Sequence, residues 1–93
     1  MSRPHKKARV ASLHDEAYRE FVELLVLRRK SSGLSQQELA DALGWNQSII
    51  AKIETAQRRI DIIELIKLSE AAGFDVLKIV KDAKKLIARS SGS

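Results

Sequence analysis

Apolar and polar residues alternate at helical spacing through the middle of the chain. Within residues 36–55 the apolar positions recur at intervals of three and four, at Leu39, Ala40 and Leu43 and then at Ile50 and Ile53. Gly44 lies between the two sets and is suited to the left-handed turn that ends many helices. Asn46 follows, and asparagine is favoured at helix N-caps. The pattern therefore predicts two short helices joined by a tight turn.

Three further helices are predicted, one before this pair and two after it. Ser12, Asp61 and Asp75 each precede an apolar stripe and can cap a helix N-terminus. Gly33 and Gly73 are expected to end the first and fourth helices. The apolar positions of the fourth helix predict an inner face formed by Ile62, Leu65, Ile66 and Ser69. The chain is thus predicted to be all-α, with five helices around one core.

The apolar stripe of the last helix continues beyond the length that a small core needs. It reaches Ala83, Leu86 and Ile87 before a short polar segment. An exposed apolar face of this kind predicts a partner, and we expect a second copy of the chain to cover it, with these three residues at the dimer interface. The lysines of the same helix suggest a membrane surface as the alternative, which Asp82 and the lack of interfacial aromatic residues disfavour.

Composition limits the size of the fold and the classes of chemistry. The 93 residues suffice for one small domain, which we place at residues 12–89, between a flexible basic arm (1–11) and a disordered tail (90–93). The chain has no cysteine, and neither histidine has a nucleophile or carboxylate arrangement around it, so we expect no enzyme, no metal site and no cofactor. Hydrophobic residues make up 44% and charged residues 31%, which predicts a soluble, cytoplasmic protein without a membrane span.

The positive charge favours a polyanionic partner but is spread unevenly. The formal net charge is +5 and the pI is about 9.8. Lys and Arg exceed Asp and Glu by four in residues 1–33 and by one in residues 61–93, and they balance in residues 34–60. Residues 34–60 are therefore neutral overall, so attraction to phosphate is expected mainly from the basic arm and from Lys52, Arg58 and Arg59. The alternatives are a solvated terminus and a solvated charge pair.

The second helix of the pair has one polar side, at spacings of one, four, five and eight residues. Its members are Gln47, Ser48, Ala51, Lys52 and Thr55. Amide and hydroxyl groups at the N-terminal end of an exposed helix match the donor and acceptor pattern of base edges, and glutamine can bind adenine with two hydrogen bonds. The alternative is the ordinary solvated side of an amphipathic helix. The combination of helix, glycine turn and second helix favours DNA.

Three segments resemble the lambda-repressor-like helix-turn-helix family, also called the Cro/C1-type or XRE regulators. They are GLSQQELADALG, NQSIIAKIE and RRIDIIELIKLSEAAGFD, which occur in this order within a match from about Tyr18 to Val80. The resemblance implies a compact five-helix domain in which helices two and three form the helix-turn-helix. It also implies a repressor-like transcriptional regulator that binds double-stranded DNA at a palindromic operator as a homodimer.

The resemblance also implies roles for individual residues. DNA contact is implied for positions on helix two, helix three and the following loop, which are Gln36, Gln37, Asn46, Gln47, Ser48, Ala51, Lys52, Thr55, Arg58 and Arg59. Among these, Gln36 is expected to brace Gln47, while Gln47 and Ser48 are expected to contact bases. Arg29 and Glu54 match a structural pair that joins helix one to the recognition helix.

Two positions depart from the family pattern, and a second function stays open. Ala51 stands where many relatives have serine and Ala56 where many have glycine, so a backbone contact to phosphate is expected to be altered. Trp45 is expected to pack in the core beside the turn. The alternative function, from a different class, is an antitoxin or adaptor that binds a partner protein such as a toxin through its last helix.

Overall fold

The computed structural model describes the backbone of residues 4–90 and the side chains of residues 16–89. Within these residues the chain forms five α-helices and no strand. They are α1 (Pro4–Ser31), α2 (Gln36–Leu43), α3 (Gln47–Glu54), α4 (Ile62–Ala72) and α5 (Val76–Ser90). The predicted all-α, five-helix fold is confirmed. No described helix combines the length and the apolar character that crossing a membrane would require.

The first helix begins earlier than the sequence pattern predicts. α1 starts at Pro4, and proline suits the first helical turn because its missing N–H would have no partner there. The predicted start after Ser12 is therefore wrong, since Ser12 lies inside the helix. With 28 residues, α1 is about 42 Å long, close to the longest dimension of the molecule, 45 Å. Residues 1–3 and 91–93 lie outside the described residues, so their flexibility stays a prediction, whereas the backbone of residues 4–11 of the predicted arm and of Ser90 is helical.

Buried side chains from all five helices form the core. The five largest are at most 2% exposed and are Leu25 of α1, Leu39 of α2, Ile50 and Ile53 of α3, and Ile79 of α5. α1 packs against both α5 and α3, and α2 packs against both α3 and α4. Trp45, beside the turn, is half-buried and packs against this core. The α2–α3 pair is therefore held by the whole domain and not by its own contacts alone.

Two of the four residues predicted on the inner face of α4, Leu65 and Ser69, are buried in the core. The buried residues of α4 are Leu65, Leu68, Ser69 and Ala72. Ile62 is 59% exposed and Ile66 is 37% exposed, so the prediction for these two residues is wrong. Both sets of positions satisfy helical spacing, and the pattern alone does not choose between them. The first turn of α4 lies at the surface, where Asp61 is also exposed, and this leaves Ile62 outside the core.

Four helices within the described residues end in a left-handed residue. These residues are Gly33, Gly44, Ala56 and Gly73. After α3, the Ala56 N–H donates to the Ile53 carbonyl at 3.0 Å and the Gln57 N–H to the Lys52 carbonyl at 2.9 Å, which is Schellman pairing. Ala56 has φ 61° and is the one residue other than glycine with a positive φ in the described part of the chain. Because its Cβ opposes this conformation, Ala56 is strained by roughly 1–2 kcal/mol.

We expect Ala56→Gly to raise the free energy of unfolding by about 1 kcal/mol. Glycine removes the left-handed strain, and its greater freedom in the unfolded chain offsets part of the gain. For a domain of this size the melting temperature should rise by roughly 4–8 °C in circular dichroism. Ala42→Gly, at an exposed position inside α2, is the matched control and should lower the melting temperature. A lower melting temperature for Ala56→Gly as well would contradict the strain.

The segment between α3 and α4 is tied to the start of α4 by polar side chains. The Asp61 carboxylate accepts from the Glu64 N–H at 2.7 Å, and the Glu64 carboxylate accepts from the Asp61 N–H at 3.1 Å, which forms a capping box. Arg58 donates two hydrogen bonds to the same Glu64 carboxylate, at 2.7 and 3.1 Å. The hydrogen bonds from Arg58, followed by that from the Asp61 backbone, hold the pKa of Glu64 below its ordinary value.

We expect Glu64→Gln to remove part of the acid sensitivity of the fold. Because the pKa of Glu64 is lowered by folding, its contacts stabilise the fold at neutral pH and lose this contribution as the pH falls through the lowered pKa. The variant should therefore melt below the wild type at neutral pH, and the difference should narrow as the pH is lowered below about 4. Glu70→Gln, an exposed position on α4 without an ion pair to any described residue, is the control. A difference in melting temperature that does not change with pH would disprove the linkage.

Candidate nucleic-acid interface

The outward side of α3 is polar because its apolar side is buried in the core. Ile50 and Ile53 occupy the buried side. On the outward side, Gln47 and Ala51 are half-buried. Ser48, Lys52 and the C-cap residue Thr55 are exposed. The Lys52 ammonium makes no ion pair with a described residue. The five residues expected from helical spacing thus share one surface, and its cation is available to a ligand.

Asn46 occupies the N-cap position of α3, but its side chain does not cap the helix. Its backbone is extended, with φ −74° and ψ 144°, and no side-chain capping bond forms. The predicted cap is therefore absent as a hydrogen bond, although the helix begins where predicted. Asn46 is exposed, so water can satisfy the first N–H groups of the helix. Its amide stands at the outward N-terminal end of α3 without a partner in the described part of the chain.

A buried ion pair joins α1 to the last residue of α3. Arg29 donates from Nε to Glu54 Oε2 at 2.6 Å and from Nη2 to Glu54 Oε1 at 2.9 Å. Arg29 is only 8% exposed, and its Nη1 donates to the Leu34 carbonyl at 2.8 Å. The hydrogen bond to Glu54 raises the pKa of Arg29. The structure thus brings together the two residues that the sequence suggested as a pair, and it adds the Leu34 carbonyl as a further acceptor.

Hydrogen bonds continue from this ion pair to the first residue of α3. Gln36 donates from Nε2 to Glu54 Oε1 at 2.8 Å, and Gln47 donates from Nε2 to Gln36 Oε1 at 2.7 Å. We call Arg29, Glu54, Gln36 and Gln47 the support network. Gln47 keeps its amide oxygen and one N–H for other partners. These are the groups with which glutamine binds adenine, and they are held at the outward edge of α3 by contacts that reach the core.

Two other expected contact residues use their side chains within the protein. Gln37 donates to the Asp41 carboxylate at 2.8 Å along the surface of α2. Thr55 donates to the Ala51 carbonyl at 2.9 Å and accepts from Gln57 at 2.9 Å. Gln37 and Thr55 remain exposed despite these bonds. Gln57, which the sequence did not single out, therefore stands beside Thr55 at the end of α3.

The two arginines of the α3–α4 loop are held by protein groups. The Arg58 side chain pairs with Glu64 and is 38% exposed. The Arg59 guanidinium lies 4.4 Å from the centroid of the Tyr18 ring, in a cation–π contact. No local pattern in the sequence indicates either contact. Glu64 is expected only to cap α4, and Tyr18 lies on another helix, α1, 40 residues before Arg58. Both loop cations thus have partners within the protein.

Two of the three residues expected at a dimer interface, Ala83 and Ile87, line an open apolar cavity. Ala83 and Leu86 of α5 are half-buried, and Ile87 is 48% exposed. Ala83 and Ile87 line a cavity of about 320 Å³, whereas Leu86 does not. The remaining lining residues come from α1, α4, α5 and the α3–α4 loop and are Ala17, Tyr18, Phe21, Arg59, Leu65 and Val80. The three residues therefore belong to a partly open apolar face, of which Ile87 is the most accessible member.

Comparisons with known proteins agree with this architecture. A family model described as helix-turn-helix matches residues 25–79, more than half of the chain and the whole of the support network. The structure resembles that of an XRE-family like protein from Pseudomonas syringae pv. tomato str. DC3000, with a TM-score of 0.77 and 32% sequence identity over 82% of this chain and 93% of that one. No curated protein sequence matches the chain significantly. The chain belongs to the Cro/C1-type (XRE) helix-turn-helix family, a family of DNA-binding proteins and not of enzymes.

Proposed function

We propose that this protein binds a specific sequence in double-stranded DNA and regulates transcription as a repressor-like homodimer. The observation that carries the proposal is the support network, which holds Gln47 at the exposed N-terminal end of the second helix of a helix-turn-helix. A side chain that only meets water gains little from such positioning. Base contact depends on it, because both hydrogen bonds to a base form only when the amide is correctly oriented.

The dimensions of α3 suit the major groove of DNA. Its eight residues give a length of about 12 Å, similar to the width of the groove, about 12 Å. With Gln47 and Ser48 at base edges, Lys52 follows one turn later at a base or a phosphate. The Ala51 methyl group can contact a thymine methyl group. Thr55 and the loop after it then lie at the edge of the groove, where the phosphates are.

Phosphate attraction is proposed to come largely from residues outside the base-contacting side. Residues 34–60 carry as many acidic as basic side chains, whereas residues 1–11 carry four basic residues and no acid. Short basic arms of this kind contact phosphates or the minor groove in DNA-binding proteins. Gln36, Gln37 and Asn46, at the N-terminal ends of α2 and α3, are proposed to contact the DNA backbone beside them.

The dimer is proposed to form through the apolar face of α5. Ile87 and Val80 are 48% and 38% exposed beside the α1–α5 cavity, and a second copy would remove them from water. The same face on both copies gives a two-fold axis. Two recognition helices related by that axis would bind two inverted half-sites, so the operator is proposed to be palindromic.

The same face favours a second candidate function, that of an antitoxin or adaptor. The cavity is lined almost entirely by apolar side chains with one cation, Arg59, and it can receive an apolar side chain from another protein as well as from a second copy. A toxin bound there would leave α3 accessible, so partner capture and DNA binding are compatible. The two candidates differ in what binds α5.

We expect Gln47→Ala to change which DNA sequences the protein selects. Loss of a bidentate contact to one base should cost about 1–3 kcal/mol on the preferred sequence and relax the preference at that base pair. The measurement is selection of bound duplexes from a random pool, followed by binding titrations on the enriched sequence. Gln37→Ala, an exposed glutamine bonded to Asp41, is the control and should leave the base preference unchanged. An unaltered consensus for Gln47→Ala would exclude this residue from base contact, and no enrichment with the wild type would exclude specific binding.

We expect Ile87→Asp to convert a dimer into a monomer. A carboxylate placed in an apolar interface would lose its hydration, whereas 48% exposure in the monomer lets it remain hydrated and the fold intact. Light scattering gives the mass, and circular dichroism checks the fold. Ile63→Asp on α4 is the matched control, since Ile63 is 57% exposed and does not line the α1–α5 cavity. A monomeric wild type, or a dimeric Ile87→Asp variant, would refute the proposed interface, and a wild-type monomer that binds no duplex would favour the adaptor.

A further inference from the structure

Tyr18 of α1 makes three contacts with the loop between α3 and α4. Its hydroxyl accepts a hydrogen bond from the Ile60 N–H at 3.1 Å and donates to the Arg58 carbonyl at 3.4 Å. Its ring lies beneath the Arg59 guanidinium, 4.4 Å from the ring centroid. One side chain of α1 therefore contacts three consecutive loop residues, 58–60.

The rest of the loop is held at its two ends by other elements. At its beginning, the N–H groups of Gln57 and Arg58 donate to the Lys52 carbonyl of α3, at 2.9 and 3.1 Å. At its end, Asp61 belongs to the capping box of α4. Tyr18 holds the segment between these ends. Ile60 is half-buried, and an N–H group left without a partner there would be unfavourable.

The loop position matters if α3 lies in the major groove. α3 is about 12 Å long, and the major groove is about 12 Å wide. If α3 begins at the base edges it ends at the border of the groove, so the residues that follow it lie next to phosphates. The loop carries two arginines within five residues of the end of α3. Their distance from the DNA backbone would depend on the path of the loop, which Tyr18 constrains.

We infer that Tyr18 is a positioning residue for DNA binding, whose hydroxyl sets the path of residues 58–60 and so places Arg58 and Arg59 beside the phosphates. This inference rests on the proposed function of α3 in the major groove. Tyr18 itself contacts neither base nor phosphate in this arrangement. It therefore contributes to affinity and to salt dependence, while the choice of base stays with α3.

The variant Tyr18→Phe tests the hydroxyl while keeping the ring under Arg59. Binding of a fluorescent duplex with the enriched sequence is measured over a range of salt concentrations, and exchange of the Ile60 amide proton is followed by NMR. We expect affinity to fall roughly three- to tenfold, as for the loss of about one net hydrogen bond. The slope of affinity against salt should decrease by about one phosphate contact, the consensus should persist, and the Ile60 amide should exchange faster.

Phe74→Leu is the matched control for a loss of aromatic packing. Phe74 lies between α4 and α5, is half-buried against the core and does not line the α1–α5 cavity. This variant should lose stability without changing the salt slope. If the wild type binds DNA and Tyr18→Phe has the same affinity and salt slope, the role of Tyr18 is overturned and the proposed function of α3 is not. A changed consensus in Tyr18→Phe would also overturn it, and a wild type that binds no duplex at low salt would overturn the proposed function together with this role.

Discussion

The buried ion pair of Arg29 and Glu54 is the contact on which the position of α3 depends. Removing a charge from water costs roughly several kcal/mol of free energy for each ion. Such a pair therefore persists only when its geometry is good and its remaining polar groups are hydrogen-bonded. Here two hydrogen bonds join the ions, the Leu34 carbonyl accepts from Arg29, and Gln36 donates to Glu54. A small rotation of α3 against α1 would break several of these bonds at once. The hydrogen bonds of the pair therefore favour a single arrangement of the two helices.

This requirement reaches the polar side of α3 through two glutamines. Glu54 is the last residue of α3 and Gln47 the first, so the helix is fixed at one end by the ion pair and at the other by Gln36. Gln36 bonds to both ends, which sets the Gln47 amide relative to the buried carboxylate. Affinity for a base edge depends on such preorganisation, since a mobile amide would have to be ordered on binding. The polar side of α3 is thus an extension of the core, although it looks like an ordinary solvated side.

The sequence predicts those parts of this arrangement that local residue types determine. Gly44 and the apolar spacing were sufficient for the two helices and their turn, because a left-handed glycine and a buried stripe are local requirements. The face of α4 was predicted only in part: Leu65 and Ser69 are buried as expected, whereas Ile62 and Ile66 satisfy the same helical spacing but are exposed. The contact of Tyr18 with the loop could not be predicted, because it depends on how α1 packs and not on any neighbouring residue. Long-range packing therefore accounts for most of what the sequence leaves open.

The α3–α4 loop links α3 to the apolar face of α5 through two side chains. Tyr18 and Arg59 line the α1–α5 cavity, and Tyr18 also bonds to the loop backbone at residues 58 and 60. A second subunit or partner protein that filled the cavity would contact the ring and the guanidinium directly. A partner carboxylate there would compete with the Tyr18 ring for Arg59. A cation–π contact at an exposed site contributes about 0.5–1 kcal/mol, and a partly desolvated ion pair is stronger. Association through α5 and phosphate contact by the loop would then be coupled by one aromatic ring, without any change in the core.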